Sequence, residues 1–154
     1  MKQVTKFRKR MAYTLIELSV VIVLVILIAT TLTSMLSQQV QFYTWWNTQR
    51  FIAEEAPLAN NIVVRLFAKA DTFSSNGTSL TLGFVQPNGT TNYGVITHTG
   101  TSLKYIYNST SPADEWDIAR GVSAAAFNTV GNTLQFTLTS PYGGQVTYAA
   151  TPAL

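Results

Sequence analysis

The chain has 154 residues, 47% of them hydrophobic and only 11% charged, with a formal net charge of +3. It has no cysteine, which excludes disulfide frameworks, cysteine-ligated zinc and thiol nucleophiles. The positive balance is local. Lys2, Lys6, Arg8, Lys9 and Arg10 supply half of the cations, and the sequence after residue 12 carries five cations against seven anions, a net charge of −2. The basic end reads as a leader, and nucleic acid is not expected as a partner.

Residues 1–12 form that short basic segment, and residues 13–37 form a predicted transmembrane helix. Between residues 18 and 49 there is no Asp, Glu, Lys, Arg or His. Only Ser and Thr interrupt residues 18–36, and a membrane helix accommodates both by bonding them to its own carbonyls. Residues 15–37 give roughly 35 Å of helix at ~1.5 Å per residue, enough for a hydrocarbon layer of ~30 Å. The predicted span is carried by Leu15, Leu18, Val20, Val21, Ile22, Val23, Leu24, Val25, Ile26, Leu27 and Ile28. An ordinary secretory signal has a shorter apolar core and a small-residue cleavage site after it, and this segment has neither. The preceding cations keep the N-terminus cytoplasmic and direct the C-terminus outside. Phe42, Tyr43, Trp45 and Trp46 fall where an interfacial aromatic belt is expected. A plain single-span anchor accounts for all of this except Glu17, a carboxylate within the apolar run.

The combination of a basic leader, Ala12, then Tyr13-Thr14-Leu15-Ile16-Glu17 and a long apolar helix resembles the N-terminus of type IV prepilins and type II secretion pseudopilins. In that family a Gly precedes Phe-Thr-Leu-Ile-Glu. The resemblance covers residues 1–50. It implies that a prepilin peptidase cuts between Ala12 and Tyr13 and that the new amine of Tyr13 is methylated. The cut falls on the cytoplasmic side of the apolar run, so the span is kept. The resemblance also implies a role for Glu17, because in such filaments the glutamate of one subunit meets the N-terminal amine of a neighbour. Either ion alone in a low-dielectric helix bundle costs several kcal/mol, and pairing offsets most of that. Glu17 would therefore fix the axial register of subunits. Ala12 stands where Gly is usual and Tyr13 where Phe is usual. The helix also lacks the Gly and Pro of many major pilins, which points to a minor subunit.

The function implied is structural: a pilin-like subunit of a type IV pilus or a type II secretion pseudopilus. Its expected location is the bacterial cytoplasmic membrane, single-pass, and then the filament. Its expected partners are the prepilin peptidase, other pilin or pseudopilin subunits and membrane lipid. Two other classes stay open, a DNA-uptake or adhesive minor pilin and a membrane-anchored domain that does not polymerise. DNA binding would require a local basic patch around Arg65, Lys69, Lys104 and Arg120.

Residues 38–73 read as an amphipathic continuation of the helix. Phe51, Leu58, Ile62, Leu66 and Ala70 fall on one face, with Ile52, Val63 and Phe67 beside them. Pro57 lacks an N–H and clashes with the preceding turn, so a kink or break is expected near residues 53–56, or a new helix with Pro57 as its first residue. Residues 74–154 read as an antiparallel β domain. The turn cluster Ser74-Ser75-Asn76-Gly77 opens it, and alternating stretches follow at 79–86, 92–97, 102–108, 115–120, 132–140 and 144–149. Leu80, Leu82 and Phe84 point one way, as do Leu134, Phe136 and Leu138. The predicted fold is α+β: a long N-terminal hydrophobic helix followed by four to six strands packed on its C-terminal half.

Among possible sites, His98 is the only histidine and reads as a loop residue. Asp114, Glu115 and Asp117 around Trp116 read as a solvated acidic turn, with calcium as the alternative. Residues 76–78, 88–90 and 108–110 match the N-glycosylation acceptor pattern. The sequence offers no phosphate loop, nucleophile elbow or metal cluster, and neither enzymatic activity nor a cofactor is expected.

Overall fold

A computed structural model describes residues 4–107 and 114–152, with side chains from residue 14 onward. The fold is α+β. Helix α1 (Val4–Arg50) leads through a π-helical turn (Phe51–Glu55) into α2 (Ala56–Lys69), and eight antiparallel strands follow. The chain divides into two compact units, Met1–Tyr43 and Thr44–Leu154.

In the second unit β1 (Thr72–Ser75), β2 (Ser79–Val85), β3 (Thr91–Thr99), β4 (Ser102–Tyr107) and β5 (Glu115–Arg120) form one sheet in sequence order. A second sheet follows the same simple order with β6 (Ala124–Val130), β7 (Thr133–Thr139) and β8 (Gln145–Ala150). A single bridge joins the two: the Phe127 N–H donates to the Gly77 carbonyl at 2.9 Å. Gly77 has φ 91°, and the Asn76 Oδ1 beside it accepts from the Thr78 and Ser79 N–H groups. An Asx turn with a left-handed glycine is what such a sequence favours, and this one also opens the Gly77 carbonyl to the second sheet.

Helix α2 packs against β2, β5 and β8. Its buried face is Ala56, Ala59, Val63 and Phe67, all fully buried, and the two alanines let the helix approach the strands closely. Opposite them lie Leu80, Leu82, Ile96, Leu103, Phe127, Leu134, Phe136 and Leu138. Strand β7 shows the period of two clearly, with Leu134, Phe136 and Leu138 in the core and Gln135, Thr137 and Thr139 outward. Phe67 meets Phe73 edge-on at 4.7 Å, which seals the helix end against β1.

Four expectations are corrected. First, the helical face is rotated. Pro57 cannot donate a helical hydrogen bond, and the chain widens ahead of it, with Ala56 N–H bonding to Phe51 O in the π pattern. That turn inserts a residue, so the core-facing series steps from Phe51 to Ala56 and then to Ala59, Val63 and Phe67. Leu58 is consequently turned outward at 53% exposure, and Ile62, Leu66 and Ala70 lie half-buried. Second, the β region begins at Thr72, so Ser74 and Ser75 belong to β1 and the turn is confined to the residues after them. Third, β6 was not expected; its AAAFNTV sequence has low strand propensity, and burial of Ala125 and Phe127 holds it in place. Fourth, the strands number eight among the described residues and form two sheets.

Replacing Phe67 by Ala in a fragment spanning residues 44–154 is expected to destabilise it by about 3–5 kcal/mol, read from urea denaturation followed by far-UV circular dichroism. Leu58→Ala, at an outward position on the same helix, is expected to change stability by less than about 1 kcal/mol.

Candidate functional site

The residues that the sequence singles out lie on α1. The Ala12–Tyr13 peptide bond falls within this helix, and the side chains of both residues lie outside the described ones. Tyr13 and Glu17 are four positions apart, so they share one helical face about 6 Å apart along the axis. The Glu17 side chain is exposed, and among the described residues it has no hydrogen-bond or ion-pair partner.

The apolar residues around Glu17 are uncovered as well. Leu15, Leu18 and every residue from Val20 to Ile28 in the predicted span are at least 50% exposed, and residues 14–43 are exposed throughout. Four hydroxyls within this run turn back to the backbone. Ser19 Oγ donates to Ile16 O at 2.8 Å, Thr30 and Thr31 to Leu27 O at 3.0 and 2.8 Å, and Thr33 to Ala29 O at 2.8 Å. Their polar atoms are thus satisfied without water, as an apolar medium requires. The helix is long and apolar enough to cross a membrane. Chemically the segment offers an uncovered apolar rod with one carboxylate near its start, an arrangement suited to association.

The remaining candidates sit in the second unit. His98 is a residue of β3 and not of a loop; its Nε2 lies 2.9 Å from Val122 O, which ties β3 to the start of the second sheet. Glu115 and Asp117 lie on β5, the alternating stretch expected at 115–120, and not in a solvated acidic turn. Lys104 on β4 stands opposite Asp117 in register and bonds diagonally to Glu115. That hydrogen bond, opposed by desolvation and aided by the two carboxylates, raises the Lys104 pKa above its ordinary 10.5. Arg120 Nε pairs with Asp117 at 3.2 Å. Of the four cations of the possible basic patch, Lys104 and Arg120 are therefore held by carboxylates. Sequence reading missed this cross-strand network because it depends on the β4–β5 register, although alternating Lys and acidic residues on two successive strands were a usable signal. Trp116 leans on the buried Tyr105 with centroids 5.4 Å apart. Among the described residues no three His, Asp or Glu side chains converge as a metal site. Asn76 and Asn88 lie in exposed turns with their side-chain oxygens bound to local N–H groups, and residues 108–110 lie outside the described ones.

Comparison with models of known protein families, with curated proteins and with solved structures gives no match.

Burial raises the pKa of Tyr105 and of Tyr148 above 10.0, and the Lys104 pKa moves the same way. A group whose folded pKa is raised lends stability below its unfolded value, and that stability is lost as pH climbs through the folded value. The 44–154 fragment is therefore expected to hold a constant urea midpoint between about pH 8 and 9.5 and to lose stability above about pH 10. Tyr105→Phe should make that loss less steep.

Proposed function

We propose that the chain is a pilin-like structural subunit, anchored in the bacterial cytoplasmic membrane as a prepilin, cleaved between Ala12 and Tyr13, and assembled through α1 into a type IV pilus or a type II secretion pseudopilus. The observation that carries this reading is that Ala12 and Tyr13-Thr14-Leu15-Ile16-Glu17 lie on a helix whose apolar side chains from residue 14 to residue 43 are exposed among the described residues. Lipid covers such a surface before assembly. Neighbouring helices cover it afterwards, by dispersion contact and close packing rather than by a difference in hydropathy.

Glu17 supplies what apolar contact lacks, which is register. A greasy rod slides along its neighbour with little change in energy, whereas one carboxylate has one low-energy place, beside an amine. Cleavage creates that amine at Tyr13. Removing one partner of a buried pair costs about 3–5 kcal/mol because the other ion is left uncompensated. The second unit, with no catalytic constellation among its described side chains, is then the part exposed on the filament.

Glu17→Val is expected to leave insertion and Ala12–Tyr13 cleavage intact while lowering filament yield at least about tenfold, the consequence of losing more than about 1.4 kcal/mol per contact. Sheared-filament immunoblots beside membrane fractions measure both quantities. Filaments of wild-type yield from Glu17→Val would exclude the register role, and a chain that remains monomeric with Glu17 intact would favour the non-polymerising anchor.

A further inference from the structure

Charge is distributed unevenly over the second unit. Residues 72–103 and 121–154 contain no Asp, Glu, Lys or Arg, so β1, β2, β3, β6, β7 and β8 lack charged residues of these types. The charges are confined to residues 50–71 and 104–120. A well-behaved soluble surface is about a quarter to a third charged residues, and a face without charge lacks the repulsion that keeps copies apart.

The outward face of the three-stranded sheet is built from this neutral sequence. Its cross-strand rows are Asn128–Gln135–Ala149, Ala126–Thr137–Thr147 and Ala124–Thr139–Gln145. A groove of about 600 Å³ lies on it, lined by Ser75, Asn128, Gln135, Thr137 and Thr147 among others. The alanines keep the face low, so another backbone can come close. Strand β8 ends the sheet and carries no charge, proline or bulge to block pairing, whereas the free edge at β5 carries Glu115, Asp117 and Arg120.

We propose that this neutral face, with the β8 edge, is the surface through which the second unit of one copy meets that of the next; the inference rests on the filament-subunit reading. A second copy is favoured by the chemistry of the face. Its hydroxyls and amides each donate and accept hydrogen bonds, so it is complementary to itself without counter-ions. An ionic ligand finds no opposite charge there, and the outward rows hold no aromatic ring on which a sugar or base would stack. Three strands of six residues cover roughly 15 by 20 Å, far below a stable interface of about 800 Å² per partner. The face therefore acts as a lateral contact between copies that α1 already holds together.

The chain has no cysteine, so single cysteines can be labelled cleanly. Thr147→Cys and, separately, Leu32→Cys are labelled with a photoreactive maleimide in assembled filaments, irradiated and mapped by mass spectrometry. Both labels are expected to join a second copy, with the residue-147 adduct falling within residues 72–103 or 121–150. The yield of that adduct should change less than about twofold between 0.05 and 1 M NaCl, since screening acts on charges. Thr137→Lys, or the fully outward Gln135→Lys, should lower it at least about fivefold and leave the residue-32 adduct in place, because a charge buried at the contact has no partner. The proposal is overturned if the residue-32 adduct forms without the residue-147 adduct, or if the latter maps to residues 104–120, to another protein or to a glycan. A tenfold fall with salt also overturns it. Absence of both adducts contradicts the filament reading and this inference together.

Discussion

Among the described residues nothing covers the apolar surface of α1 between residues 14 and 43, and that constraint governs the rest. From residue 14 to residue 43 every side chain is exposed, and the run includes Leu, Ile and Val at nearly every position from 20 to 28. At roughly 25 cal/mol per Å² such a surface cannot remain in water. Ser19, Thr30, Thr31 and Thr33 inside the run return their hydroxyls to the helix backbone, so these groups draw no water in. The helix is long and apolar enough to cross a membrane, and in the proposed account lipid or other helices surround it and Glu17 is the group most affected by which of these it meets.

The second unit is complete by comparison. Its core is closed by α2 against two sheets, and its polar network runs between β4 and β5 through Lys104, Glu115, Asp117 and Arg120. Within this unit the π-helical turn at residues 51–55 joins the helical residues 44–50 to α2. Phe51 is buried, and Thr48 Oγ1 donates to Tyr142 O in the turn before β8 at 3.3 Å. Pro57 thus does more than interrupt the helix: the wider turn it favours sets which face of α2 reaches the sheets. The two units divide the labour in the proposed reading, with α1 supplying association and the second unit supplying the exposed surface.

Much of the architecture was legible in the sequence because it follows from strong local patterns. The apolar run, the polar turns with Asn-Gly and the alternation at Leu80–Leu82 and Leu134–Phe136–Leu138 each reflect one period repeated often enough to read. The failures share a different cause. The face of α2 was misassigned because a single inserted residue changes the helical phase; Pro57 marks a break near residues 53–56 but not the phase that follows it. Strand β6 has three alanines and no alternation of large apolar residues, so its identity depends on a sheet neighbour more than on itself. His98 moved from loop to strand because boundary residues are decided by pairing. At the N-terminus the candidates Ala12, Tyr13 and Glu17 stand out by type and order alone, and α1 sets Tyr13 and Glu17 on one face.

In the proposed account the amine opposite Glu17 does not exist until the leader is removed, so the identity of the first residue is the most direct test. The intact mass of the chain extracted from membranes of cells that contain a prepilin peptidase should equal that of residues 13–154 plus one methyl group, with Tyr13 as the N-terminal residue. A chain that still begins at Met1 in such cells would contradict the account.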